Sequence, residues 1–365
     1  MRSDEISGLM KKRRLDALVV CGEANLKSLV GFSCDNGILV IGREPRVTTV
    51  FYTDFRYAPE ARRKCRGLKI VDIRRFDIPS RGRSGCGSRI GFEGFVPYTR
   101  YLQFEKLAPK AKFVDVQKNL LAIRAVKTPD EITKLRAAEK LDCDIYEDAV
   151  KRFRPGMTER QMAAIIKTMM IELGEGEAFD TIVCVGKNAA ECHHEPDDTV
   201  WNGREPVLVD MGVKLNGFCS DLTRNLVGTS GASCSSGARN ASPSRTARPS
   251  SLYRKVYDLV LEANRAAIAA AKPGMTGRQL DKVARDVIRK GGFGRCFGHS
   301  LGHGVGYEIH EAPSASKKGE MVLKPGMLVT IEPGIYLEDN LGVRIEDLVL
   351  ITETGCEVLS ATAAK

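Results

Sequence analysis

The chain has 365 residues, 43% hydrophobic and 28% charged, with a formal charge of +10. That length predicts two domains with ordinary globular cores, and no apolar run reaches the roughly 18–20 residues a membrane helix needs. The positive excess sits in residues 61–100 (eleven Lys/Arg, three Asp/Glu) and 229–257 (five Lys/Arg, no acid), without aromatic interleaving, so a solvated surface is expected and neither nucleic acid nor membrane is an expected partner.

Residues 1–125 alternate short apolar runs with charged stretches. LDALVV (15–20), GILVIG (37–42), TTVFY (48–52), LKIVDI (68–73) and RIGFEG (89–94) predict strands. KSLVGF and the Arg-rich 55–66 segment predict loop or helix between them, an α/β pattern. The boundary is expected near 122–126, giving domains 1–124 and 125–365. Thr128-Pro129-Asp130-Glu131 then predicts a capping box with proline at the first helical position. The opening MRSDEISGLMKKRRLDALVV has no apolar h-region or cleavage site. Eleven scattered cysteines, none in a CxxC pair, suit a reducing compartment. A cytoplasmic location is expected.

An internal repeat follows. RPGMTERQM (154–162) and KPGMTGRQL (272–280) lie 118 residues apart. Each predicts a helix opened by a Thr cap, and together they predict a pseudo-two-fold domain whose halves meet at one site. The Ser/Ala/Arg-rich segment 229–252 lacks any apolar period and is expected to be a flexible insert.

Each half carries an acidic pair on an apolar ladder: Asp210 and Asp221 in VLVDMGVKLNGFCSD, Glu332 and Glu346 in VTIEPGIYLEDNLGVRIE. Buried carboxylates cost several kcal/mol unless paired or metal-bound. Asn216-Gly217 is a strong two-residue hairpin signal. It sets 215 opposite 218 and 212 opposite 221, so Asp210 and Asp221 share a face as diagonal neighbours. Gly212 is expected to leave room for an ion between them. Glu332 and Glu346 share a face only if the turn near 339–341 is odd in length, such as three residues.

The block GHSLGHGVGYEIHEAP (298–313) holds His299, His303 and His310, three of five histidines; His193 and His194 are adjacent in ECHHEPDD. Its HxxxH spacing suggests two ligands on one helical turn. Gly298, Gly302, Gly304 and Gly306 argue against a helix, so strand and loop are expected, with a bulge or bend between His303 and His310. Four carboxylates and one histidine suit two divalent ions, Mn²⁺ first, with Fe²⁺, Co²⁺ or Zn²⁺ open. Two such ions can activate a shared water and polarise a carbonyl.

Five blocks, in order, resemble the creatinase/aminopeptidase P/prolidase family of pita-bread fold: TIVCVGKNAAECHHEPDD, VLVDMGVKLNGFCSDLTR, GHSLGHGVGYEIHEAP, MLVTIEPGIY and GVRIEDLVLIT. The resemblance covers nearly the whole chain. It implies a creatinase-like α/β N-terminal domain and a catalytic α+β pita-bread domain with a curved antiparallel sheet. It implies Asp210, Asp221, His303, Glu332 and Glu346 as metal ligands, with Asp221 and Glu346 bridging. Glu332 would be general base, and Arg344 would support the bridging carboxylate. His193 and His310 would hold substrate or stabilise the tetrahedral intermediate, and His299 would line the proline pocket. His194 is expected to be structural. Cys192 departs from the family's usual proline there, and the 229–252 insert is longer than usual. The implied function is an Xaa-Pro aminopeptidase acting on peptides with proline second, in a homodimer; the alternative is an Xaa-Pro dipeptidase (prolidase). A metal-free binding module of the same fold is the competitor from another class, and the intact ligand set argues against it.

Overall fold

The computed structural model describes residues 2–43, 49–78, 88–227 and 250–365. The chain divides into two compact units, Met1–Arg124 and Ala125–Lys365.

The first unit is built on one six-stranded mixed sheet. Its strands are β1 (Ala17–Val20), β2 (Ile38–Gly42), β3 (Val50–Thr53), β4 (Lys69–Asp72), β5 (Arg89–Phe92) and β6 (Lys112–Asp115), in the order β4-β3-β2-β1-β5-β6. β1 pairs antiparallel with β2 and parallel with β5. β1 is buried along its length, as expected of a strand between covered faces. Helices α2 (Glu23–Val30), α3 (Ala58–Lys64) and α4 (Tyr98–Leu107) lie between strands, while α1 (Ser3–Arg13) precedes β1 and α5 (Gln117–Ala125) follows β6. All five predicted strands form, and both ambiguous stretches contain helix. Lys27–Val30 is the last turn of α2, which stops at Gly31 with φ of 71°. Within the basic segment 61–100, residues 79–87 lie outside the described residues.

The second unit opens with α6 (Pro129–Val150), and the predicted capping box is present: Thr128 accepts from the Glu131 amide, and Glu131 accepts from the Thr128 amide. α7 (Glu159–Leu173) follows the first repeat block, then β7 (Ile182–Val185), β8 (Val207–Met211), β9 (Lys214–Leu215), β10 (Phe218–Cys219) and β11 (Leu222–Leu226). The second half runs α8 (Ser251–Ala270), α9 (Gly277–Lys290), β12 (Gly302–Gly304), β13 (Glu311–Ala315), β14 (Leu328–Ile331), β15 (Gly334–Leu337), β16 (Leu341–Arg344), β17 (Asp347–Ile351) and β18 (Cys356–Val358). The repeat is therefore structural. In each half a long helix precedes PGMT, a Thr/Gln capping box opens a second helix, and an acid-bearing antiparallel hairpin follows.

Each half has its own apolar core. Val183, Val209, Met211 and Leu222 pack with α6 and α7 in the first; Val256, Leu280, Val329 and Val349 lie in the second. Of the expected flexible insert 229–252, residues 229–249 lie outside the described residues. Helix begins earlier than the expected end at 252: Ser250 caps α8 by accepting from the Tyr253 amide, and Ser251 and Leu252 are already helical. No disulfide joins the described cysteines. None of the described helices is long and apolar enough to cross a membrane.

Candidate metal centre

The turn at Asn216-Gly217 sets the first hairpin's register, with Leu215 opposite Phe218. The same register continues below it, where Met211 faces Leu222 and Asp210 faces Thr223. Asp210 and Asp221 therefore stand diagonally on one face, as the alternation predicts. The role read for Gly212 needs correction. A Cβ there would lie 2.4 Å from the Ser220 carbonyl oxygen and 2.6 Å from the Phe179 ring. Glycine lets the partner strand approach; it leaves no vacancy for an ion.

In the second hairpin the turn is Glu338–Asp339–Asn340, three residues, with Asp339 at φ 54°. Gly334 faces Arg344 above, and Ile331 faces Asp347 below. Glu332 and Glu346 are thus directly opposite each other. Glu346 donates its amide to the Thr223 carbonyl at 3.2 Å, which brings the two halves' acids together.

His303 lies on β12, and its amide is fixed by Thr330 Oγ1 at 3.0 Å. Its Nε2 is 3.3 Å from Glu332 Oε1 and 3.5 Å from Asp221 Oδ2. One ligand atom each from Asp221, His303 and Glu346 lies within 4.8 Å of the others. The chain leaves β12 after Gly304 and bends through 306–310, and the β12–β13 register shifts beside Gly304. That bend returns the His310 ring to 4.3 Å from that of His303, so seven residues of separation still place both on one side.

All nine predicted site residues line one cavity of about 500 Å³. Burial, then the charges of Glu346, Asp210 and Glu332, push the Asp221 carboxyl well above the usual carboxylate range. Burial, then Glu332 and Asp210, does the same to Glu346. Burial holds Glu332 at about 8, with Arg344 opposing and Asp210 adding to the rise. Burial, reinforced by His310, lowers His303 to about 4, so its ring is neutral and able to ligate. Crowded carboxylates that cannot all ionise alone are what bound cations relieve. Asp210 Oδ1 is buried with no hydrogen-bond partner among the described residues. This donor set of hard oxygens and one imidazole fits divalent ions.

His193 and His310 are solvent-exposed at the cavity. His299 is held instead, with Nδ1 2.8 Å from the Ser300 carbonyl and Nε2 2.9 Å from Tyr336 Oη. Burial, then Arg344, lowers it to about 4. Arg344 reaches acids of both hairpins. Its guanidinium pairs with Asp210 and donates to Tyr336 Oη at 2.8 Å. It hydrogen-bonds toward Glu346 through Thr223, whose hydroxyl is 3.2 Å from Arg344 Nε and donates to Glu346 Oε2 at 2.7 Å.

Residues 133–353 match Metallopeptidase family M24, and residues 2–126 match the Creatinase/Prolidase N-terminal domain. The chain belongs to metallopeptidase family M24. It is a hydrolase with a creatinase-like N-terminal domain and an M24 pita-bread domain. The chain is 34% identical over 364 residues to an "Xaa-Pro dipeptidase" from Pyrococcus furiosus, covering 99% of this chain and 98% of that protein. It is similar to the crystal structure of a prolidase from Pyrococcus horikoshii OT3, with TM-score 0.87 and 30% identity, covering 98% and 97%. It is also similar to an X-Pro aminopeptidase from Thermotoga maritima, with TM-score 0.79 and 30% identity, covering 97% of each chain.

Several residues of this M24 peptidase that shape the site were not read from sequence. Thr223 and Thr330 were findable: Thr223 faces Asp210 in the hairpin register, and Thr330 precedes Glu332 by two, with its hydroxyl 3.1 Å from Glu332 Oε1. Glu139 and Asp142 back the first hairpin from α6. Glu139 Oε2 accepts from the Asp221 amide at 3.2 Å, and Asp142 Oδ2 accepts from Ser220 Oγ at 2.9 Å. Their signal was acids on the apolar face of an amphipathic helix, beside Leu135, Ala138, Cys143 and Tyr146. Tyr336 left no signal of its own, since an aromatic in a strand reads as core.

Proposed function

We propose that this metallopeptidase is an Xaa-Pro dipeptidase, cleaving the bond between an N-terminal residue and a C-terminal proline. The observation that carries the reading is the gathering of Asp210, Asp221, His303, Glu332 and Glu346 in one cavity, in a chain alignable end to end with an Xaa-Pro dipeptidase. That likeness, and the prolidase neighbour, favour the dipeptidase over the aminopeptidase expected from sequence. Residues 1–124 form the accessory domain in this reading, and 125–365 carry the chemistry. The protein is cytoplasmic and homodimeric, and Mn²⁺ is the metal.

The five side chains would hold two divalent ions, which supply an activated water and a polarised carbonyl when bound. Glu332 takes up a proton as general base and returns it to the proline nitrogen, which has no N–H of its own. His310 and His193 donate hydrogen bonds to substrate, His310 at the developing oxyanion. Neutral His299, fixed by Tyr336, lines the proline side. Arg344 holds Asp210 in place.

The deciding assay supplies Mn²⁺ and compares an Xaa-Pro dipeptide with an Xaa-Pro-Yaa tripeptide, beside Asp221→Ala. Dipeptide turnover alone, lost in the variant, is expected. Tripeptide turnover would return the reading to an aminopeptidase, and turnover of neither would sink it.

A further inference from the structure

The two PGMTxRQ blocks differ inside the motif at one position: Glu159 in the first half, Gly277 in the second. Glu159 is the first residue of α7 and is fully buried. Its carboxylate does not line the ligand cavity. Oε1 accepts from the Val185 amide at 2.6 Å and from Asn188 Nδ2 at 2.9 Å. Oε2 accepts from the Asp197 amide at 3.1 Å and lies 2.7 Å from His194 Nε2. The other ring nitrogen of His194 is 3.0 Å from Glu191 Oε2. One buried carboxylate thus gathers the end of β7 and both sides of the 191–197 loop.

Glu159, His194 and Asp197 lie close enough together to suggest a further ion site. The donors decide against it. A carboxylate offers about four lone-pair sites, and here four N–H directions already meet them. A cation would have to displace backbone amides. Carboxylates stand at both ring nitrogens, and Asn188 Nδ2 lies 3.3 Å from Nε2, a setting that favours the protonated ring. Burial opposes that charge, but hydrogen bonds to Glu191 and Glu159 and the charges of Glu159 and Asp197 outweigh it and raise the His194 pKa.

His193 is the next residue, exposed at the cavity, and no hydrogen bond to a described residue holds its ring. Its position is therefore set by the backbone of the loop that Glu159 closes. The second half solves the matching problem by backbone contact. A Cβ on Gly277 would stand 2.0 Å from the Ser314 carbonyl oxygen, on the strand that follows His310. We propose that Glu159, acting through His194, is a positioning residue that sets where His193 meets the substrate. This rests on the peptidase reading of His193 given above.

Three readouts test it on the full-length protein, with spectra taken on the diamagnetic Zn²⁺-loaded form and turnover on the Mn²⁺-loaded form. In ¹⁵N spectra of the histidines followed against pH, His194 should titrate above the free value of about 6.5, and Glu159→Gln should lower that titration. Amide exchange across 191–199 should quicken by an order of magnitude in that variant, with metal content unchanged. On an Xaa-Pro dipeptide kcat should fall about 10–100-fold, as for other residues that orient an active group. That loss should vanish in a His193→Ala background. His194→Gln, which breaks the contact to Glu191, should show the same pattern more mildly and serves if Glu159→Gln folds poorly. Unchanged spectra and exchange, or losses additive with His193→Ala, would overturn the proposal. A wild type inactive on every Xaa-Pro dipeptide would defeat the dipeptidase reading alone, because spectra and exchange judge the clamp without turnover.

Discussion

Thr223 stands between three charged groups: it faces Asp210, donates to Glu346 and lies beside Arg344 Nε. Thr223→Val keeps the shape and removes the hydroxyl. It should reduce metal affinity or turnover about 10–100-fold, measured by titrating Mn²⁺ against activity. His310→Ala should instead leave bound metal unchanged and lower kcat by about 10²-fold or more. His194 gives a pH signature of the opposite sign to a carboxylate. Its pKa is raised in the folded state, so its contribution to stability is fully present below the unfolded value of about 6.5 and is lost as pH rises through the folded one. Melting temperature followed across that window should fall more in the wild type than in His194→Gln. At this scale the acids that gather in the cavity were readable from the sequence because acids inside VLVD, VTIE and VRIE break the pattern of their surroundings. Tyr336 and Glu159 were not, because their roles depend on which distant loop packs against them.

Among the elements, the two repeat helices offer a comparison. Thr158 and Thr276 each cap a helix with the same box. Replacing either by Ala should cost about 1 kcal/mol in chemical denaturation and leave kcat nearly intact. Gly277→Ala should behave differently despite being the smaller change. The added methyl meets the backbone of β13, so the strand behind His310 must move, and kcat should drop with little change in cap strength. Helices and hairpins were legible here because caps and turns carry local chemistry. Register was legible too: Asn216-Gly217 and the odd turn condition together place all four acids. β6 and α4 passed unread. KFVD is too short and half-exposed to show an alternation, and only Phe104 of α4 is buried, which leaves little amphipathic signal.

At the scale of the molecule, the halves of the second unit are tied by Arg224 of β11. It donates to Asp347 Oδ1 at 3.1 Å, to the Ser360 carbonyl at 3.0 Å and to the Ala363 carbonyl at 3.2 Å, and both charged partners are almost wholly buried. Asn264 adds a bond from α8 to Asp347 Oδ2 at 2.9 Å. Arg224→Ala leaves Asp347 to Lys365, Asn264 and Ser360, and should cost about 1.5–3 kcal/mol, or several degrees in Tm for a unit of this size. Nothing in the sequence marks this tie, since an arginine in TRNLV reads as an edge-strand surface residue until the other half is placed against it. The N-terminal unit was legible as a class of fold, its strand order was not, because pairing across loops leaves no local trace.

Both acid pairs hang below turns whose tips lie at the surface, Asn216-Gly217 and Glu338–Asn340. Residues added at the very tip lengthen the loop and leave the strands beneath in step. A single residue added between tip and acid reverses the direction of every side chain beyond it on that strand. The chain should therefore take a fluorophore or a recognition peptide at either tip, while a one-codon insertion a few positions away disarms it.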